Sequence, residues 1–395
     1  MTAWVGLLPS HLFCEIWQFF TARQLRALGQ ASRACRAWAR RALRARAVCF
    51  VCTHSGCIQN GSGHVHAVSV DTGAPRWAAP RAVPRGGAAC APAYCARRDV
   101  LYFCDVQGNA YALQGRTGAT LWEAALGHAV EQTSLLLHRG RLLVRTLEGR
   151  VACLCPRRGA VLWWTAHQPG GRSMWNCSPV PSTSGKMVYF VDGYSQLVGA
   201  RVSTGAVAWR SPAVSFSSPF LMCRTPVVGP GRLWTMAMYT PYWTRAHAEE
   251  EHEEIYSALL CLDSNTGRAA WMQDMGHEVF TLRLCPPRRG GGGGGSANAK
   301  GGLLLVGLAW GLEARSPRTG AALWTFRANH LTQGIPVLSQ SRHLVLVAEW
   351  WSGKVHAIRL DGTRAWTAVG VTELYEPTAL VEIRLTVRNP AAGEE

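Results

Sequence analysis

Lysine is nearly missing from this chain. Of 41 Lys and Arg residues only Lys186, Lys300 and Lys354 are lysine, in a chain of 395 residues. Acidic residues are scarce as well, 24 in all, which leaves a formal net charge of +17. An excess of that size could serve nucleic acid. Here it comes almost wholly as arginine, amid abundant Ala and Gly, with no groove-reading or base-stacking motif beside it. GC-rich coding accounts for it equally well, and nucleic acid is not expected as a partner. No stretch reaches the roughly 18 to 20 uninterrupted apolar residues of a membrane-spanning helix. The opening residues, Met-Thr-Ala-Trp-Val-Gly-Leu-Leu-Pro, carry no early positive charge, and His11 and Glu15 break the apolar run. A secretory signal is therefore not expected, and the expected location is the cytoplasm, the nucleus or both. In such a compartment the 14 cysteines are expected as free thiols buried in apolar runs, as at Cys104 and Cys261, rather than as disulfides. Charged residues make up only 16% against 48% hydrophobic, enough to bury a large core and to argue against global disorder.

What the chain does have is glycine (41) and tryptophan (17), in a repeat. A Gly followed four residues later by a Trp recurs seven times: Gly73 and Trp77, Gly118 and Trp122, Gly159 and Trp163, Gly205 and Trp209, Gly267 and Trp271, Gly320 and Trp324, Gly362 and Trp366. Successive tryptophans are 45, 41, 46, 62, 53 and 42 residues apart. An alternating apolar and polar run precedes most of these glycines, as in Asn109-Ala-Tyr-Ala-Leu-Gln114, the period of a half-buried strand. Asp, Thr and Gly then supply a turn, and the Trp opens a return strand. Upstream lie further strand candidates at Val100–Cys104, Leu142–Arg145, Met187–Val191, Leu303–Gly307 and Leu344–Ala348. Before several of these stands a short apolar stretch around a proline: Pro92, Pro179, Pro226 and Pro336. Four strands per unit of about 41 to 46 residues is the pattern of a propeller blade.

The two long intervals hold insertions, about 240–256 with the acidic stretch His247–Glu254, and about 288–300 with the glycine tract Gly290–Gly295. Both are expected as loops. From Val48 the first unit offers only three strands. The tail at Thr378–Val387 could supply the fourth and so remove the open edges. Seven motifs predict seven blades; an eighth would need two strands in the tail.

The repeat resembles that of the pyrroloquinoline quinone (PQQ) enzymes, whose blades read approximately Ala-Leu-Asp-x-x-Thr-Gly-x-x-x-Trp. Leu262-Asp-Ser-Asn-Thr-Gly-Arg-Ala-Ala-Trp271 follows it closely. The resemblance covers 48 to 387 and implies a mainly β, seven-bladed, quinoprotein-like propeller over about 48–390. It also implies that Trp77, Trp122, Trp163, Trp209, Trp271, Trp324 and Trp366 are structural, each wedged between neighbouring blades. No Trp is followed by Asp, which weighs against WD-type blades, and no phased Gly-Gly marks a Kelch repeat.

Residues 1–47 break the β pattern. Ser10 is a fitting N-cap, and Leu12, Ile16, Phe19 and Phe20 follow at helical spacing. Two more short helices are expected around Leu25 and Leu28 and around Cys35, Trp38 and Leu43. Leu8-Pro9, Leu12, Ile16, Leu25, Leu28 and Ala31-Ser32-Arg33-Ala34-Cys35-Arg36-Ala37-Trp38 resemble the F-box, with Ala31 where a larger aliphatic is usual and no Leu-Trp after Leu43. That resemblance implies docking to the Skp adaptor of a cullin-type ubiquitin ligase. Leu8, Pro9, Leu12, Ile16, Phe20, Leu25 and Leu28 would form the interface, in a motif completed by Ser32, Arg33 and Trp38. Eight Arg and one acidic residue, Glu15, in this segment suit an acidic adaptor. The alternative is a basic helical cap on the propeller.

No catalytic set is expected, and no cofactor or metal. There is no adjacent Cys-Cys pair of the kind that many quinone-dependent dehydrogenases carry, and no evident carboxylate set for Ca²⁺. Cys49, Cys52, His54 and Cys57 have spacing reminiscent of zinc. Yet Cys49 and Cys52, three apart in a strand, face opposite ways. His247 and His252 among glutamates read better as a solvated loop than as metal ligands. The expected function is that of a substrate-recognition adaptor, not an enzyme, binding an unidentified target protein through the propeller. The rivals are a scaffold unconnected to ubiquitin and a degenerate quinoprotein dehydrogenase.

Overall fold

The computed structural model describes residues 48–54, 63–69, 74–83, 92–130, 135–166, 178–194, 196–211, 225–239, 256–277, 279–285, 302–328, 337–339, 344–348 and 354–369. The helices expected in 8–46, Gly73, the core of the acidic insertion, the glycine tract and the tail strand at 378–387 lie outside them. All regular elements among the described residues are strands, paired in seven antiparallel sheets, one of three strands and six of four.

The first sheet is Val48–His54, Gly63–Ser69 and Arg81–Val83. The second is Ala93–Cys95, Val100–Cys104, Asn109–Gln114 and Thr120–Ala125, and the rest repeat its plan. The strands of every sheet lie in chain order. The strands expected at Val100–Cys104, Met187–Val191 and Leu344–Ala348 have those bounds. The short proline-flanked stretches become first strands of only two or three residues, such as Val180–Pro181 and Val227–Gly229. First strands of neighbouring sheets meet at Ala93–Cys95 with Leu136–His138, at Val180–Pro181 with Val227–Gly229, and at Val227–Gly229 with Val279–Cys285, and fourth strands are more exposed, with Leu121, Leu162 and Met272 turned to solvent.

The sequence pattern reads as half-buried strands. The structure corrects this for the four-stranded sheets, whose central strands are buried on both faces over most of their length, whereas Gly63–Ser69 of the first sheet alternates as expected. Val100–Cys104 is buried throughout, as are the four central residues of Asn109–Gln114. The cause is the stacking of sheets. The apolar clusters lie between them: one joins Val65 to Leu101, Leu113 and Leu154 across the first three sheets, and another joins Leu143 and Cys153 to Phe190 and Val198. Further clusters join Tyr189 to Leu260, Leu259 to Val306, and Leu305 to Val347. A sheet covered on both sides needs no polar face, so the small alternating residues are there for fit.

Candidate functional site

The recurring turn shows what each residue of the repeat does. In Asp263-Ser-Asn-Thr-Gly267 the Asp263 carboxylate accepts hydrogen bonds from the N–H groups of Asn265 and Thr266 and from the Thr266 hydroxyl. These bonds hold its pKa below the usual carboxylate range. The Thr hydroxyl in turn accepts from the N–H two residues on, at Thr117, Thr204, Thr266 and Thr319. The glycine has positive φ, 74° at Gly118 and 70° at Gly267, open to Gly at little cost.

Each described turn glycine lies against the Trp of the sheet before it. Gly118 faces Trp77, Gly159 faces Trp122, Gly205 faces Trp163, Gly267 faces Trp209, Gly320 faces Trp271 and Gly362 faces Trp324. Several of the indoles also donate to a carbonyl of that same turn: Trp77 Nε1 to Gly115 O at 2.9 Å, Trp122 to Pro156 O at 3.1 Å and Trp324 to Leu360 O at 3.0 Å. Tyr102 and Tyr189, from second strands, reach the same turns at Pro156 O and Ser264 O. Trp366 pairs through its backbone with Ala357.

One part of this joint went unread in the sequence. The residue paired with each Trp is small: Ala112, Cys153, Gly199, Cys261, Ala314 and Ala357 opposite Trp122, Trp163, Trp209, Trp271, Trp324 and Trp366. The register shifts just beside each of them. A small residue five or six places before each turn glycine was the available signal.

The antiparallel order puts first-to-second and third-to-fourth strand turns at one end of each sheet, and second-to-third turns at the other. At the second end, Arg150 stacks over Trp164 at 4.6 Å from the ring centroid, meets His128 Nε2 at 3.2 Å, and lies beside the His128–Glu148 pair at 3.0 Å. Asp192 meets Arg210 at 3.5 Å. The space between them has about 10 Å³, room for no more than a water. The acidic insertion joins Arg232–Tyr239 to Tyr256–Asp263 at this end.

The first end carries an open cavity of about 550 Å³. Arg139 and Arg141, Lys186 and Arg201 line it, with Asn265 from the following sheet. Arg139 has φ 48°, one of two non-glycine residues with positive φ among those described. Its guanidinium donates to Ser184 O at 2.7 Å.

The F-box residues Leu8, Pro9, Leu12, Ile16, Phe20, Leu25, Leu28, Ser32, Arg33 and Trp38 lie outside the described residues, as do Cys57 and 247–254. Cys49 is exposed, while Cys52, three residues on, packs on the core cluster of the first three sheets.

Stacked four-stranded sheets joined through Trp and turn glycine define a β-propeller built from PQQ-like repeats. The family model described as outer membrane protein assembly factor BamB matches residues 106–234 and 256–392, and the chain belongs to that family. The solved structure of BamB from Moraxella catarrhalis is similar at 16% identity, covering 82% of this chain and 92% of that one, with a TM-score of 0.53. The computationally designed Ika8 protein is similar at 12% identity, 81% and 85% coverage and a TM-score of 0.56. So is the quinohemoprotein alcohol dehydrogenase of Comamonas testosteroni, at 11% identity, 72% and 61% coverage and 0.52. At these identities the likeness is one of fold. No curated protein matches the chain.

Proposed function

We propose that this chain is the substrate-recognition subunit of a Skp–cullin–F-box ubiquitin ligase. Residues 8–46 dock to the Skp adaptor, and the propeller presents a target protein to ligase subunits that carry the chemistry. The observation that supports this reading most is the motif Leu8-Pro9, Leu12, Ile16, Leu25, Leu28 and Ser32-Arg33…Trp38, standing directly before a propeller whose first strand begins at Val48. The family model's description names a protein-assembly role rather than a reaction, and so favours a protein-binding propeller.

The ring in this reading has seven blades. Among the described residues the first sheet has no innermost strand, and Val48–His54 pairs there only with Gly63–Ser69. The tail at 378–387 supplies the missing strand, and the family match through residue 392 supports its place in the repeat. Ending the chain at residue 370 should lower its melting temperature and promote aggregation through the bare edge. Unchanged melting would refute closure by the tail.

The test of the adaptor reading is capture of purified Skp adaptor by the full chain and by a Leu8→Ala, Pro9→Ala variant. Binding by the first and not the second is the expected result. An intact, folded chain that captures no adaptor defeats the reading, and leaves 8–46 as a cap and the propeller as a scaffold.

A further inference from the structure

The cavity at the end of the sheets that holds the Thr-Gly turns has the chemistry of an anion site. Its cations come from three places: Arg139 lies in the hairpin loop after Leu136–His138 and Arg141 opens the strand Arg141–Arg145, Lys186 precedes Met187–Val191, and Arg201 ends Leu197–Arg201. Four cationic side chains thus meet in a space of about 550 Å³, and no carboxylate lines it among the described residues. The carboxylate two residues before Asn265, that of Asp263, is engaged by the N–H groups of its own turn. None of the four cations takes part in an ion pair among the described residues. Three of them, Arg139, Lys186 and Arg201, are exposed, so water screens their mutual repulsion, and a bound anion would find several unpaired cations on one wall.

Arg139 is also placed deliberately. Its hairpin has two loop residues, Arg139 and Gly140, at φ 48° and 72°, a type I′ geometry that favours Asn-Gly. An Arg there carries backbone strain, and such residues gather at binding sites. Its side chain crosses to the next sheet, where it donates to Ser184 O and lies against Gly185. A Cβ on Gly185 would fall 2.5 Å from Arg139 Nε, so the position suits glycine, which leaves the guanidinium its seat. A guanidinium fixed through one edge keeps other N–H groups for an oxyanion.

We propose that this cavity binds a phosphorylated peptide segment. Arg139, Arg141, Lys186 and Arg201 would neutralise the phosphates, and Ser184, Ser203 and Asn265 would offer hydrogen bonds. Phosphate fits better than lone carboxylates, because a dianion with three acceptor oxygens answers several converging donors at once. The proposal deepens the reading of the propeller as the recognition half of the molecule. Adaptor capture and peptide binding are separate measurements, so the failure of either is seen apart from the other.

The test uses the full chain and a fluorescein-labelled Gly/Ala peptide carrying two phosphoserines, followed by fluorescence anisotropy. The wild-type chain should bind it at least about tenfold more tightly than the unphosphorylated peptide. Arg139→Gln with Lys186→Gln should weaken binding at least about tenfold, and should make it less sensitive to salt. Arg81→Gln with Arg327→Gln removes as much charge from exposed sites elsewhere and should change affinity by less than about twofold. No binding by the wild-type chain, or equal losses in the two double variants, overturns the proposal. Displacement of the peptide by equimolar pyrophosphate assigns the site to a small free anion and overturns the peptide.

Discussion

Trp122 rests on Gly159, the turn glycine of the following sheet, so closely that a Cβ on that glycine would fall 2.7 Å from the indole Cε3. Gly159 also has φ 71°. Gly159→Ala therefore meets two penalties, about 1–2 kcal/mol for a left-handed alanine and about 1–3 kcal/mol for overpacking. Gly127 is the internal control, with φ 72° and open space where its Cβ would stand. Denaturant unfolding should show Gly159→Ala losing more stability than Gly127→Ala. Equal losses would mean that the Trp–Gly joint contributes nothing beyond backbone strain.

The indoles of the joint are not equivalent. Trp77 donates to Gly115 O at 2.9 Å, while the buried Nε1 of Trp163 has no partner among the described residues. Phe keeps most of the ring and removes the N–H. Trp77→Phe should thus cost about 1 kcal/mol more than Trp163→Phe, the usual net value of one buried hydrogen bond. The reverse order in matched urea titrations would contradict the assignment of these bonds.

The period of the repeat was legible because every unit answers to the same local demand, a turn glycine and a Trp four residues later. The strands were legible because apolar runs separated by turn chemistry leave few other arrangements. Burial on both faces was not legible, since Ala112 or Gly199 looks the same opposite a Trp as it does facing water. The cation cavity was hidden for another reason. Arg139 and Lys186 occupy loops outside the period, Arg201 ends a strand of the next sheet, and only the stacking of sheets brings them together. Of the candidate adaptor interface, the sequence alone speaks.

Burial pushes the thiols of Cys261 and Cys285 up to about 11. Both should resist iodoacetamide at pH 8 in the native chain, whereas exposed Cys49 should react quickly. The same shifts make stability depend on pH. In the unfolded chain these thiols lose their protons near the ordinary value of 9, while the native chain keeps them until about 11. Their contribution is complete below pH 9 and is lost as pH rises toward 11, so stability should fall across that window. Replacing both with alanine should flatten the fall. An unchanged slope would assign the pH dependence to other groups.

Arg315 ties two sheets together around a buried carboxylate. Its Nε donates to Glu313 Oε2 at 2.7 Å, and its Nη1 donates to Gln273 Oε1 of the preceding sheet at 2.7 Å and to Gly320 O at 3.0 Å. Only 12% of either side chain of the Glu313–Arg315 pair is exposed. Arg315→Met keeps the bulk but strands the Glu313 carboxylate without its cation, and should cost about 3 kcal/mol or more. Removing both charges with Glu313→Leu and Arg315→Met should recover part of that loss, because the penalty comes from the unpaired carboxylate rather than from the missing pair. The four corners of this cycle, measured by chemical unfolding, separate the two explanations. A double variant as damaged as the sum of the single ones would show that Arg315 acts instead through its bonds to Gln273 and Gly320, as a strap across the joint between the sheets.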